Sequence, residues 1–198
     1  MHASERDTPR VQAERLHYRD LSAALDLRRV KFLDESGINL AMTRLYGRAP
    51  RGERVLGSAP RNYGQNVTIL GALSCTGLEA VMTVEGATDA DVFRAYVREV
   101  LCPTLRQGDL VIADNLSAHK AAGVHEAIAA TGARLLYLPP YSPDLNPIER
   151  CWSTIKTFLR AAKARTRGAL DAAVTRALAT VTASDARAWF AHSGYVLH

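Results

Sequence analysis

Three acids stand where a carboxylate can do chemistry. Asp34 follows the apolar run Val30-Lys31-Phe32-Leu33, and Asp114 follows Leu110-Val111-Ile112-Ala113. Glu149 follows the loop Tyr141-Ser142-Pro143-Asp144-Leu145-Asn146-Pro147, just as a long helical pattern begins. An acid at the carboxyl end of a strand sits where such sheets commonly place ligands. If the strands ending in Asp34 and Asp114 are neighbours, their carboxylates face each other across about 5 Å. Glu149, at a helix start after the next strand, can project into the same spot. Carboxylates gathered in a dry site repel, and one keeps its proton unless cations compensate. An oxygen-rich cluster of this kind suits Mg²⁺ or Mn²⁺. Two such ions about 3.5–4 Å apart activate a water or hydroxyl and stabilise the leaving oxygen of a phosphodiester.

Each acid also has an ordinary structural role. Asp34 can begin a turn, and Asp114-Asn115 can form an Asx-type helix start. Asn146, Pro147 and Glu149 suit the N-cap, first helical position and third position of a capping box. Asp144 is a rival third acid, but it lies in a proline-rich loop, and a helix-anchored carboxylate is held more firmly. Strand alternation points Glu35 away from Asp34, so it is expected at the surface.

The elements that must position these residues follow from periodicity. Val30 to Asp34 reads as a short strand with its exit near Gly37. Tyr46 to Pro60 is a Gly-, Pro- and Arg-rich loop or hairpin, and Asn66–Ser74 with Leu78–Val84 forms a hairpin about Thr76-Gly77. Asp89–Leu101 has helical spacing and ends at Pro103. Asp109–Ala113 and Ala133–Leu138 are further strands, with a helix from Ser117 to about Ala130 between them, closed by Gly132. Helices follow over Ile148–Lys163, Ala169–Val181 and Asp185–His192. An antiparallel hairpin followed by strand-helix-strand units predicts a mixed α/β sheet flanked by helices. Residues 1–29 are polar, with weak helical character from Val11 to Leu27, and read as an extension or connector to a domain spanning 30–198.

Composition narrows the classes. The 198 residues suffice for one well-buried domain, and 47% are hydrophobic, as in a globular chain. Neither a signal peptide nor a transmembrane run is present, so an intracellular, cytoplasmic and nucleoid-associated protein is expected, with no membrane partner. The three cysteines are scattered and fit neither a disulfide framework nor a zinc site. The net charge of +5 is compatible with nucleic acid. Arg44, Arg48, Arg51, Arg54 and Arg61 crowd one segment; Arg150, Lys156, Arg160, Lys163, Arg165 and Arg167 crowd another. Trp152 suits a base stack or, more ordinarily, the core.

Taken together, Phe32-Leu33-Asp34-Glu35-Ser36-Gly37, then Ile112-Ala113-Asp114-Asn115 with His119, then Pro139-Pro140-Tyr141-Ser142-Pro143-Asp144-Leu145-Asn146-Pro147-Ile148-Glu149 resemble the signature blocks of DDE transposases. The likeness is to the mariner superfamily in its bacterial insertion-sequence branch, and 34 residues separate Asp114 from Glu149 (positions 115 to 148), similar to that branch's spacing. The resemblance covers about residue 30 onward. It implies a ribonuclease-H-like fold, two divalent ions (Mg²⁺ or Mn²⁺), DNA cleavage and strand transfer. It places Asp34 as the acid bridging both metals, with Asp114 and Glu149 each completing one shell. Asn115 and His119 would orient ligands or DNA or serve structure, and Asn146 with Pro147 would shape the turn aiming Glu149. Arg44, Arg48, Arg51, Arg54, Arg150, Lys156 and Arg160 become candidate phosphate contacts on transposon-end and target DNA. Such enzymes act as dimers on paired ends. They also usually carry helix-turn-helix modules, for which residues 1–29 are too few, so the likeness is to a catalytic domain alone: either the second of two overlapping frames, with the modules on a separate polypeptide, or a truncated form. The alternatives are a non-catalytic remnant that binds DNA or a partner, and an aspartate phosphatase, which wants an acid where Ser36 stands.

Overall fold

The computed structural model describes residues 3–64 and 66–196; the expected domain limits at residues 1 and 198 lie outside them. Eleven main elements follow one another: α1 (Pro9–Ala23), β1 (Val30–Ile38), β2 (Val67–Ser74), β3 (Gly77–Glu85), α2 (Ala90–Tyr96), β4 (Leu110–Ala113), α3 (Val124–Ala130), β5 (Arg134–Tyr137), α4 (Ile148–Ala162), α5 (Arg167–Ala179) and α6 (Ala183–His192). They form one five-stranded sheet in the order β3-β2-β1-β4-β5. β1 pairs antiparallel with β2 and parallel with β4, and β4 pairs parallel with β5. The mixed sheet is as expected, because β2 and β3 are joined by a tight turn whereas β4 and β5 need a helical crossover.

Strand alternation divides the core. Phe32, Ile69 and Ile112 pack with Trp152, Ile155, Leu159 and Phe190 on one side. Leu33, Leu70, Val111 and Ala113 pack with Phe93, Tyr96 and Ile128 on the other. Along β1, Asp34 therefore shares the side of Phe32 and α4, while Glu35 shares that of Leu33 and α2. α4 buries Ile148, Cys151, Trp152, Ile155 and Leu159, a stripe at helical spacing. Trp152 belongs to the core. It lies against Gly71, the residue paired with Asp34 on β2. A Cβ at Gly71 would meet the Trp152 ring at 3.1 Å, so glycine is what lets the start of α4 approach the acid end of β1.

Several boundaries depart from expectation. β1 continues through Gly37 to Ile38. The helix expected over Ser117–Ala130 is interrupted: a 3-10 turn covers Ala118–Lys120, and α3 starts only after Gly123, whose φ is 88°. α2 passes into a π-type turn over Val97–Leu101. The segment between Ile38 and Val67 forms no strand among its described residues. Its base is tied by Arg165, whose guanidinium donates to the Leu40 and Met42 carbonyls and to Thr43 Oγ1. All three cysteines are free, with Cys75 and Cys151 buried and Cys102 partly so. Among the described residues no helix is long and apolar enough to cross a membrane.

Candidate active site

Leu33 pairs with Ala113 across the parallel β1–β4 ladder, so Asp34 and Asp114 each follow one member of the same pair. Asp34 is buried, and its carboxyl is raised to about 7. Burial is the largest cause, followed by repulsion from Glu149, with Asp114 adding to it. Glu149 lies in the first turn of α4 and is also raised, by burial and by Asp114, against the pull of Lys156. The three acids, far apart in sequence, thus share one electrostatic neighbourhood.

Asn146 does not cap α4. The residue before the helix is Pro147, already in helical conformation, and no side chain caps that end. Asn146 is buried and turns its Nδ2 toward Asp34 Oδ2 at 3.5 Å; its Oδ1 is buried without a hydrogen-bond partner. The expected capping box does not form, because the Asn146 amide is turned to the buried acid instead of to the helix end.

His119 is completely buried, which removes it from direct DNA contact and corrects that expectation. The 3-10 turn carries its ring onto Phe93, with centroids 4.4 Å apart. Its Nδ1 lies 2.6 Å from Asp114 Oδ1, although the N–H does not point along that line, and its Nε2 lies 3.6 Å from Glu35 Oε2. Burial alone would depress the imidazole pKa; the Asp114 and Glu35 carboxylates outweigh it and lift it to about 9. Glu35 is accordingly not the surface acid expected. Alternation sends it to the opposite face, but α2 and the His119 turn cover that face, and its Oε2 is buried.

Asp144, the rival acid, is committed elsewhere. Arg15 in α1 donates to both its oxygens, at 3.0 and 2.7 Å, and Arg6 adds a contact at 3.2 Å. Burial opposes ionisation, but the Arg15 hydrogen bonds and charge prevail and hold the Asp144 pKa below its ordinary value.

Two clefts meet at Asn146 and Glu149. One, about 580 Å³, is lined by Asp114, Asn115, Tyr141 and Arg10. The other, about 460 Å³, is lined by Arg150, His192 and Arg19. A separate trough of about 800 Å³ brings Arg44 together with Lys156, Arg160 and Lys163, joining the two basic segments. Arg48, Arg51 and Arg54 are exposed on the same loop but do not line it. The sequence reading missed Arg10, Arg15 and Arg19. The available signal was Val11, Arg15 and Tyr18, spaced as one buried helix face.

Among the described residues, no three Asp, Glu, His or Cys side chains are gathered closely enough to enclose an ion as they stand. The chemistry of the donors nevertheless fits a hard cation. Asp34, Asp114 and Glu149 offer carboxylate oxygens, the buried Asn146 Oδ1 has no partner, and a cation would offset the burial and crowding that raise the Asp34 carboxyl.

Residues 29–171 match the family described as DDE superfamily endonuclease, which is well over half of the chain. The chain belongs to the DDE superfamily endonucleases. It is similar to the Tcb2 transposase of Caenorhabditis briggsae, 27% identical over 108 residues, covering 52% of this chain and 40% of that protein. The fold is that of the Mos1 transposase, ribonuclease-H-like. The Mos1 paired-end complex with Mg superposes with a TM-score of 0.73 at 13% identity, over 96% of this chain and 62% of that one. The Mos1 catalytic domain with raltegravir and Mg gives 0.67 at 14% identity, over 96% of this chain and 91% of that one. The DDE chain therefore spans less than two thirds of the Tcb2 transposase and of the Mos1 chain in its paired-end complex.

Proposed function

We propose that this chain is the catalytic domain of a mariner-superfamily transposase, in the bacterial insertion-sequence branch. It cleaves DNA at transposon ends and joins the freed 3′ end to target DNA. Residues 30–198 carry the chemistry, and residues 1–29 extend it, with α1 bonded to the 142–146 turn through Arg15. A dimer acting on paired ends follows from the same reading. What supports the proposal is the shared neighbourhood of Asp34, Asp114 and Glu149: burial first, and then the Glu149 and Asp114 carboxylates, raise the Asp34 carboxyl to about 7.

Asp34, Asp114 and Glu149 would hold two Mg²⁺ or Mn²⁺ ions, a use of divalent metal supported by the Mos1 complexes described with Mg and with Mn. Such ions, when bound, offset charge on the attacking and leaving oxygens of a phosphodiester. Asn146 steadies Asp34, and His119 holds Asp114 from the face away from solvent. Arg44, Lys156 and Arg160 bind backbone phosphates along the trough, which gives affinity without sequence readout. Asn115, at the mouth of the larger cleft, is placed to touch the strand that enters it.

The test is nicking of DNA carrying the element's terminal repeats, with and without Mg²⁺. Asp34→Asn, Asp114→Asn and Glu149→Gln each abolish it while the fold survives. Near-full activity in Glu149→Gln would remove that acid from the assignment. A wild-type chain that binds the DNA but never nicks it would instead be the non-catalytic remnant.

A further inference from the structure

We propose that Arg15 of α1 is a positioning residue for the candidate metal site: it holds the 142–146 turn through Ser142 and Asp144, so that Asn146 and Glu149 face Asp34. This rests on the acid cluster being the metal site, as proposed above.

The turn closes on itself locally, as a 3-10 segment over Pro143–Leu145 in which the Leu145 and Asn146 N–H groups donate to the Ser142 and Pro143 carbonyls. It is tied to the rest of the fold by side chains. Pro139, Pro140, Pro143 and Pro147 have no N–H to donate, so the backbone cannot join a ladder there. Tyr141 takes a positive φ of 53°, which a non-glycine residue keeps only where its surroundings impose it. The surroundings come from α1. Arg15 Nη1 donates to Ser142 Oγ at 2.6 Å, and Ser142 Oγ donates to the Pro140 carbonyl at 3.0 Å, a chain of bonds that bridges Tyr141. The same guanidinium forks onto both oxygens of Asp144. Two residues past Asp144, Asn146 meets Asp34; three further on stands Glu149. A second strut runs parallel: the Tyr195 hydroxyl donates to the Leu145 carbonyl at 2.7 Å and pairs with the Tyr18 hydroxyl of α1.

Arg15 is not a generic surface cation. Its side chain is 4% exposed, whereas Asp144 is 39% exposed. α1 buries only Val11, Arg15 and Tyr18, so polar contacts to the turn dock this helix more than an apolar stripe does. Lysine cannot reproduce the fork, because its ammonium is a point charge without the planar pair of donors.

The test measures Mn²⁺ binding to the 198-residue chain without DNA, from the loss of the free-ion paramagnetic resonance signal. Removing an outer partner of a metal ligand typically weakens the metal about 10–100-fold. Arg15→Met and Asp144→Asn are each expected to lose about tenfold or more in Mn²⁺ affinity with far-ultraviolet dichroism unchanged, and Arg15→Lys to recover part of that loss. A merely structural role would lower the melting temperature and leave Mn²⁺ affinity, measured well below it, at the wild-type value; that result overturns the proposal. If Arg15→Met does not fold, Asp144→Asn decides, since it changes a partly exposed side chain and opens no cavity. Binding lost in Glu149→Gln but intact in Asp144→Asn refutes the role of Arg15 alone. A wild-type chain that takes up no Mn²⁺ refutes the metal reading of the acids and the role of Arg15 with it.

Discussion

Replacing His119 by leucine tests the arrangement behind Asp114 with little change in side-chain volume. The ring is completely buried and faces two carboxylates. Leucine removes the imidazole 3.6 Å from Glu35 Oε2, a buried oxygen with no hydrogen bond of its own. Losing the opposing charge beside such an atom costs about 1–3 kcal/mol. Asp114 has a side chain 33% exposed and can turn to solvent, so its share is small. The stack on Phe93 is worth about 0.5–1.5 kcal/mol more. The expected destabilisation is therefore about 2–4 kcal/mol. Urea titration reads it as a fall in midpoint at unchanged slope. The double substitution His119→Leu with Glu35→Leu removes both polar partners and is expected to recover about 1–2 kcal/mol of that loss. A single variant within about 0.5 kcal/mol of wild type, or a double variant no more stable than the single, would refute the pairing of His119 with Glu35.

Three further outcomes follow from geometry already described. Gly71→Ala forces a methyl against the Trp152 ring and Leu78, and should cost about 1–3 kcal/mol, visible as a lower melting temperature. Burial raises Tyr18 to about 12 and raises Tyr195 as well, so both contribute stability that is whole below about pH 10, the unfolded value, and is lost as pH climbs toward 12. Denaturant titrations at pH 9 and pH 11 should show that fall, and the Tyr18→Phe/Tyr195→Phe pair should show much less of it. Lys156→Glu and Arg160→Glu should each weaken DNA binding on any sequence and lower the slope of log affinity against log salt by about one, read by fluorescence anisotropy. An unchanged slope would take the trough out of the DNA path.

The sheet and the last three helices were legible because their apolar residues repeat at clean periods, as in Ile148, Cys151, Trp152, Ile155 and Leu159. Asp34 and Asp114 were legible as strand-end acids, since a polar residue closing an apolar run has few places to go. What escaped is what depends on a third element. Strand alternation gave the direction of Glu35, but nothing local says that the His119 turn covers that face. Gly123 reads as an ordinary residue within a helical pattern until its positive φ breaks the helix. Asn146 carries every local mark of an N-cap, yet the neighbour that claims its amide lies 112 residues away. Arg15 was hidden by its charge, because a lone arginine on a polar helix reads as solvated.

The acids ride on parts of the fold that come apart at different free energies. Asp34 stands on the central strand, laddered on both edges and under α4, so its backbone is among the last to open. Asp114 follows a strand of four residues, and Glu149 follows a short 3-10 turn that Arg15 ties to α1. The site therefore has one fixed post and two adjustable ones. In hydrogen exchange the amide of Asp34 should outlast those of Asn115 and Glu149 by orders of magnitude. Whatever seats a substrate here can move the second and third acids toward the first without disturbing the sheet.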